Sequence, residues 1–230
     1  AAILIQTSLD NPSLTRGSYT APASGLTIRH ADASETIKAV LMAGADRKTD
    51  NRGHANISEW GEGDHLAPNG LDRRFGAGQV NAFEAHRILS AGEQPANADV
   101  AATGWAYQPT FRPAEPVTYF LRVQDYDMLQ AVLVWNVETS GTSPVLHDLD
   151  LVLWDATDSD PSKWVELRRA ASTIDNTESV ALQGMRRDRR YALQVVAKDS
   201  SATFTWHYAL AWRTNQGPAP DTEPPTIELH

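Results

Sequence analysis

The 230-residue chain contains no cysteine, which removes disulfides, thiolate catalysis and Cys-ligated zinc together. It has no apolar run near the ~20 residues that a membrane-spanning helix needs. Basic residues are in deficit: 20 Lys and Arg stand against 29 Asp and Glu, a formal net charge of −9. That balance disfavours nucleic acid, whose phosphates demand a basic face, and an anionic membrane surface for the same reason. Ala1 to Ile5 has no basic residue before it and no small-residue cleavage site after it, so it does not read as a signal peptide. The apolar fraction of 41% is ordinary for a globular protein, and the length suits one large core or two modest ones.

Up to residue 92 the pattern is helical, with long polar loops. The clearest helix runs from Asp32 or Ser34 to Ala45, with Ile37, Val40, Leu41 and Ala45 on one face. Asp32 followed three residues later by Glu35 predicts a capping box. A second capping box, Asn81 with Glu84, follows a turn containing Gly76 and Gly78, residues that tolerate backbone angles or close approaches a Cβ forbids. Ala82, Ala85, Ile88 and Leu89 then form a helical stripe, and Gly92 suits the C-terminal cap. The long loop from Asp46 to Arg74 has the length of a functional or disordered segment.

Residues 93–116 are rich in Pro, Ala, Glu and Gln and predict a linker leading into a first β segment. Beyond them the period changes to two. Strands are expected at Val117–Val123, Leu129–Val137, Leu146–Trp154, Trp164–Arg169, Ser179–Gln183, Arg190–Ala197 and Thr203–Arg213. The last alternates Phe204, Trp206, Tyr208, Leu210 and Trp212 against Thr203, Thr205, His207, Ala209, Ala211 and Arg213, the pattern of a half-buried strand. Strands at this spacing without an intervening helix indicate an antiparallel β-sandwich over 117–214, of jelly-roll type. Six of the seven tryptophans fall beyond residue 92, and a Pro-rich tail follows over 215–230.

The run Phe75-Gly76-Ala77-Gly78-Gln79-Val80-Asn81-Ala82-Phe83-Glu84-Ala85, preceded by the helix Glu35-Thr36-Ile37-Lys38-Ala39-Val40-Leu41-Met42-Ala43-Gly44-Ala45, resembles the end of a subtilisin-like serine protease domain. Ala1-Ala2-Ile3-Leu4-Ile5-Gln6 is similar to the back half of the helix that starts with the nucleophilic serine in that family. Phrases such as Asp148-Leu149-Asp150-Leu151 and Tyr191-Ala192-Leu193-Gln194-Val195 resemble strands of the β-sandwich that follows the catalytic domain in many bacterial subtilases, similar in kind to proprotein-convertase P domains. The resemblance implies an α+β chain: residues 1–92 as the helical C-terminal part of a subtilisin-like α/β domain, and the sandwich as its C-terminal neighbour. It implies a secreted endopeptidase, extracellular or periplasmic, as the parent protein. It implies too that the N-terminal part of the catalytic domain, on the same or a cleaved chain, is the partner, and that protein substrates belong to the intact enzyme.

No catalytic residue is assigned within the chain. Gly141-Thr142-Ser143 spells the triplet before the subtilase serine, but Pro144 and a strand follow where a buried helix is required, so a polar turn is expected. No Asp-Thr-Gly, Asp-Ser-Gly or His-Gly-Thr segment is present, and none of His30, His54, His65, His86, His147 or His207 has a partner evident in sequence. The isolated chain is therefore expected to lack peptidase activity.

Asp148 and Asp150 share one face of a strand, about 7 Å apart, and oxygen-rich sites of this kind suit Ca²⁺. Asp148, Asp150 and Asp175 are the candidate metal ligands, with Asp155, Asp158, Asp160, Asn176 and Glu178 near in sequence; an edge strand protected by acidic residues is the alternative. A glycosidase pair is disfavoured, because Trp135, Trp154, Trp206 and Trp212 read more simply as core. Arg186-Arg187-Asp188-Arg189-Arg190 reads as a solvated turn. Two rival readings remain: a non-catalytic carbohydrate- or protein-binding sandwich with an aromatic platform at Trp105 or Trp164, and an enzyme with an unrecognised site.

Overall fold

The computed structural model describes residues 1–21, 24–47, 59–125, 127–139 and 143–216. Residues 48–58 of the loop predicted over 46–74, His54 among them, together with Gly141, Thr142 and nearly all of the Pro-rich tail, lie outside the described residues.

Alternation of large apolar side chains builds two facing sheets. One holds β3 (Ala98–Val100), β5 (Val117–Leu121), β10 (Tyr191–Ala197), β7 (Leu149–Asp155) and β8 (Val165–Ala170), in that order across the sheet. The other holds β4 (Thr103–Phe111), β11 (Trp206–Gln216), β6 (Asp127–Val134) and β9 (Thr177–Leu182). With β3 set aside, the strands from β4 onward alternate between the sheets except at the β7–β8 pair, which stays in one sheet, the order of an eight-stranded jelly roll. Between the sheets lie Leu133, Trp135, Leu151, Leu193, Tyr208, Leu210 and Trp212, all buried. The two phenols inside this core satisfy each other, Tyr119 and Tyr208 meeting at 3.2 Å.

Each of the seven expected strands is present within a few residues, and the chain is α+β. The stretch 93–116, expected as linker and first β segment, contains two strands, β3 and β4; their apolar residues Val100, Trp105, Ala106 and Phe111 are buried. The sandwich is also not wholly antiparallel, because β3 runs parallel to β5.

Two helices, α2 (Ser34–Gly44) and α3 (Ala82–Ser90), cover the four-stranded sheet from outside, and α1 (Ala2–Asp10) packs against α3. A short hairpin of β1 (Ser18–Thr20) and β2 (Thr27–Arg29) stands beside them. Ile37, Val40, Ala43, Ala85, Ile88 and Leu89 pack on Trp105, Val132, Val134, Ala209 and Ala211, a second core on the far side of the same sheet. The strand expected to be half-buried is therefore covered on both faces. Small alanines at 209 and 211 let the helices approach, which is why that face looked solvent-compatible in sequence.

The cap at α3 forms as expected, with Asn81 Oδ1 accepting from the Glu84 N–H at 3.0 Å, and Gly92 adopts φ +81° just past the helix. The expected box at α2 does not form. Ala33 is the N-cap and has no side chain to offer; the Asp32 carboxylate instead accepts from Arg29 Nε at 2.8 Å, and Glu35 turns inward. Gly78 sits at φ +120°, and a Cβ there would come within 2.3 Å of the Asp46 carbonyl oxygen. The Gly turn thus lets the chain ladder with Asp46 before α3 begins.

Candidate functional site

Residues from three segments meet at one end of the sandwich. Asp150 is the second residue of β7, Asp148 lies just before that strand, Asp175 lies in the β8–β9 connection, and Glu178 is the second residue of β9 in the opposite sheet. Glu178 and Val180 share the inward face of β9, so the Glu178 carboxylate enters the space between the sheets and is 0% exposed. Its Oε1 accepts the Ser172 N–H at 2.8 Å. The Ser172 hydroxyl donates to Asp175 Oδ2 at 2.6 Å, joining Asp175 to the same group.

Arg169 on β8 places Nη1 on Asp150 Oδ2 at 2.9 Å and the rest of its fork on Glu166. Within this group three carboxylate oxygens have no hydrogen-bond partner: Asp148 Oδ1, Asp150 Oδ1 and Glu178 Oε2. Burial, and then the charges of Asp150, Asp175 and Asp148, push the Glu178 carboxyl up to about 9, against the Ser172 N–H that lowers it. Burial and the neighbouring Asp150 likewise raise Asp148, which Lys198 partly offsets. Like charges forced together out of water disfavour ionisation.

The structure thus brings Asp148, Asp150 and Asp175 into one electrostatic cluster and adds Glu178 as its buried centre. Among the described residues no three or more His, Asp or Glu side chains are grouped so that they could hold a metal ion. β7 is an interior strand between β10 and β8, so protection of an edge does not explain its acids. The other acids near in sequence are engaged elsewhere: Asp155 with Thr157 and Arg189, Asp158 and Asp160 with their own turn, and Asn176 with the Trp135 carbonyl.

Three histidines have carboxylate partners that local spacing does not reveal, two of them remote in the chain and the third across a loop. His30 Nδ1 lies 2.8 Å from Glu93, His207 Nε2 lies 2.8 Å from Glu35, and His147 Nε2 lies 3.1 Å from Glu138. Tyr107 stacks on His30, Tyr19 and His207, so the first two pairs flank one aromatic stack at the helix–sheet seam. Burial, with the Glu35 charge next, raises the Tyr107 phenol far above its usual value. Among the described residues no imidazole bonded to a carboxylate also holds a serine hydroxyl. Ser34 bonds to Glu35 rather than to His207, and the Ser90–His86 contact is a long, exposed one at 3.5 Å. Ser143 is exposed and precedes β7 in a bend.

The five-stranded sheet presents a different surface on its outer face. Trp164 meets Phe120 edge-on at 5.8 Å and Trp154 at 6.4 Å, and the Arg190 guanidinium lies 3.9 Å over Phe120. All three rings are half-buried. Trp154, expected in the core, stands on this outer face because its neighbours Leu151 and Leu153 take the inward positions. Trp105 is 0% exposed, donates its indole N–H to the Leu89 carbonyl, and is excluded as a platform. The arginine cluster pairs off as a surface turn: Arg186 with Asp188, Arg187 with Asp125, Arg189 with Asp155 and Arg190 with Asp99.

No protein-family model and no curated protein matches the chain. Solved structures similar to about half of it include the pre-peptidase C-terminal domain of a Bacillus anthracis collagenase, at 12% identity over 53% of this chain and 100% of that one, TM-score 0.36. The Yersinia pseudotuberculosis-derived mitogen is 15% identical over 54% of this chain and 99% of that one, TM-score 0.33. The Aeromonas hydrophila periplasmic inhibitor of g-type lysozyme is 15% identical over 51% of this chain and 100% of that one, TM-score 0.33. Among the described residues no helix is long and apolar enough to cross a membrane.

Proposed function

We propose that this chain is a non-catalytic portion of a larger secreted protein, a jelly roll clamped onto helices that complete a subtilisin-like serine endopeptidase domain. The observation that carries this reading is the apolar side of the helical layer. Ile5, Tyr19, Ile28, Ile37, Leu41 and Met42 line a groove of about 580 Å³, and Ile3 and Leu9 stand 73% and 53% exposed on α1. Large contiguous apolar patches on a soluble domain mark an interaction surface. The order α1, α2, glycine turn, α3 resembles the closing helices of that protease domain, whose sheet would be the apolar occupant of the groove. In this role the jelly roll supplies α2 and α3 with a rigid backing, while serine, histidine and aspartate come from the occupant.

The test is chemical. Incubated with a fluorophosphonate, the isolated chain is expected to remain unlabelled and to hydrolyse no protein substrate. The protein as its cells make it is expected to carry a Gly-Thr-Ser-x-Ala segment within ~15 residues upstream of Ala1, and to be labelled there. Labelling of a serine inside 1–230 would overturn the reading, as would the lack of any such upstream segment.

A second reading, a glycan-binding sandwich, is favoured by the Phe120–Trp154–Trp164 group alone. Beside those rings Trp154 Nε1 donates to Gln194 at 3.1 Å, and Gln194 donates in turn to Thr118 at 3.0 Å, so aromatic faces and fixed amide groups share one surface, as sugar rings require. A glycan array probed with the chain and with Trp164→Ala decides it: binding lost in the variant supports the reading, and no binding by either sinks it.

A further inference from the structure

We propose that the outer face of the five-stranded sheet binds a glycan carrying a carboxylate-bearing sugar among neutral ones, a step that rests on the glycan reading of that face. The rings of Phe120, Trp154 and Trp164 take the sugar faces, and the guanidiniums of Arg122 and Arg190 take the carboxylate. Strand register sets these groups in one row. Asp99 pairs with Phe120, Phe120 with Ala192, Ala192 with Trp154 and Trp154 with Glu166. The five positions point outward and span about 19 Å at the usual strand spacing. Ala192, in the middle of the row, is 0% exposed although it faces outward. Trp164 meets both Phe120 and Trp154 across it, and its indole N–H is tied to the Asp158 carbonyl at 3.0 Å.

The two ends of the row differ in charge. At the Asp99 end one carboxylate serves two guanidiniums: Arg190 Nη2 lies 2.8 Å from Oδ1, and Arg122 Nη2 lies 3.4 Å from Oδ2. Arg122 follows Phe120 by two residues and so shares its face. One positive charge is left over, on side chains 78% and 50% exposed for Arg122 and Arg190. Phe120 lies 3.9 Å from the Arg190 guanidinium and holds that planar fork in place. At the other end Glu166 and Asp150 share Arg169, while Asp158 and Asp160 share Lys163. Each of those sets keeps one negative charge.

This polarity selects the ligand. A uniformly anionic polymer would meet the acids at the far end, and a neutral glycan would leave the surplus guanidinium unused. A single carboxylate on an otherwise neutral glycan suits both ends. Arginine forks receive carboxylates through paired hydrogen bonds. Between the arginines and the acids, the Trp154–Gln194–Thr118 hydrogen-bond ladder supplies fixed polar groups beside the rings.

The experiment presents the whole chain to an array of neutral, uronate-bearing and sialate-bearing oligosaccharides. Calorimetry then compares each bound acid with its methyl ester, which lacks only the charge. The acids are expected to bind, and esterification to weaken them about tenfold, the size of one charge-assisted hydrogen bond. Arg122→Gln is expected to cost the same tenfold with the acid and nothing with the ester, because this exposed side chain supports no core. Trp164→Ala should abolish binding of both, and Arg112→Gln, a surface arginine paired with Glu115 beyond the end of β4, should change neither. Neutral oligosaccharides or esters that bind as tightly as the acids overturn the proposal and leave the glycan reading standing. No binding by any oligosaccharide overturns both. Acid binding that survives Trp164→Ala, or equal binding of an Asp-rich peptide, shows charge attraction alone and overturns the proposal too.

Discussion

Glu35 on α2 and His207 on β11 meet at 2.8 Å across the seam between the helical layer and the sandwich. The Glu35 side chain has no exposed surface, so this contact lies inside the protein. Burial alone would raise the Glu35 carboxyl. Hydrogen bonds from His207, from its own backbone N–H and from Ser34 outweigh it, and the carboxyl ends below its usual 4.5. A carboxyl whose folded value is depressed contributes stability that is fully present above the unfolded value and is lost as pH falls through the folded one.

The chain is therefore expected to lose stability between about pH 5 and pH 3 partly through Glu35. Glu35→Gln should cost about 1–3 kcal/mol at pH 7, because His207 is left facing an amide. The same variant should show a smaller acid-induced fall than the unaltered chain. Urea midpoints measured at pH 7 and pH 3.5 for both proteins check this. Parallel falls would show that Glu35 does not carry the acid sensitivity.

The contact between α2 and α3 sets up a contest between two effects of known size. Gly44 lies in the last turn of α2, and a Cβ built there would stand 2.7 Å from the Ala85 backbone nitrogen and 2.9 Å from its Cα. Alanine gains up to ~1 kcal/mol over glycine in a helix. Forcing a methyl against backbone costs about 1–3 kcal/mol, since α3 must shift from its packing on Trp105. Overpacking should win, and Gly44→Ala should destabilise by ~1 kcal/mol with an unchanged denaturant slope. A stabilised variant would show that the two helices adjust freely.

Much of the jelly roll was legible in sequence because its inward faces obey a period of two: Tyr208, Leu210 and Trp212 read as one face and lie in one core. The failures have a common cause. Period alone does not distinguish a face covered by helices from one facing water when the covering contact uses alanine, as at Ala209 and Ala211. Local spacing likewise does not reveal partners remote in the chain: the Glu35–His207 and His30–Glu93 pairs leave no local mark, and Glu35 reads in sequence as part of a cap. At the acidic end, Asp148-Leu149-Asp150 drew attention by its spacing and Asp175 by its turn. Glu178 became central only once β9 turned it between the sheets.

Arg213 illustrates the same limit and gives a sharper test. By alternation it falls on the polar face of β11, yet its side chain is only 6% exposed. Nη2 donates to the Ala45 carbonyl at 2.9 Å and lies 3.3 Å from Asp46, while Nη1 lies 3.3 Å from Glu84. One guanidinium therefore caps the end of α2 and neutralises the start of α3 while anchored in the sheet. A planar fork reaches all three acceptors and a lysine ammonium does not. Arg213→Lys should consequently cost about 2 kcal/mol, and Arg213→Ala about 3–5 kcal/mol by leaving buried acceptors without a counter-charge. Hydrogen exchange should locate the loosening in α2, α3 and the turn at Gly78 rather than in the jelly-roll core. If Arg213→Lys melts with the unaltered chain, the fork does not hold the helices to the sheet.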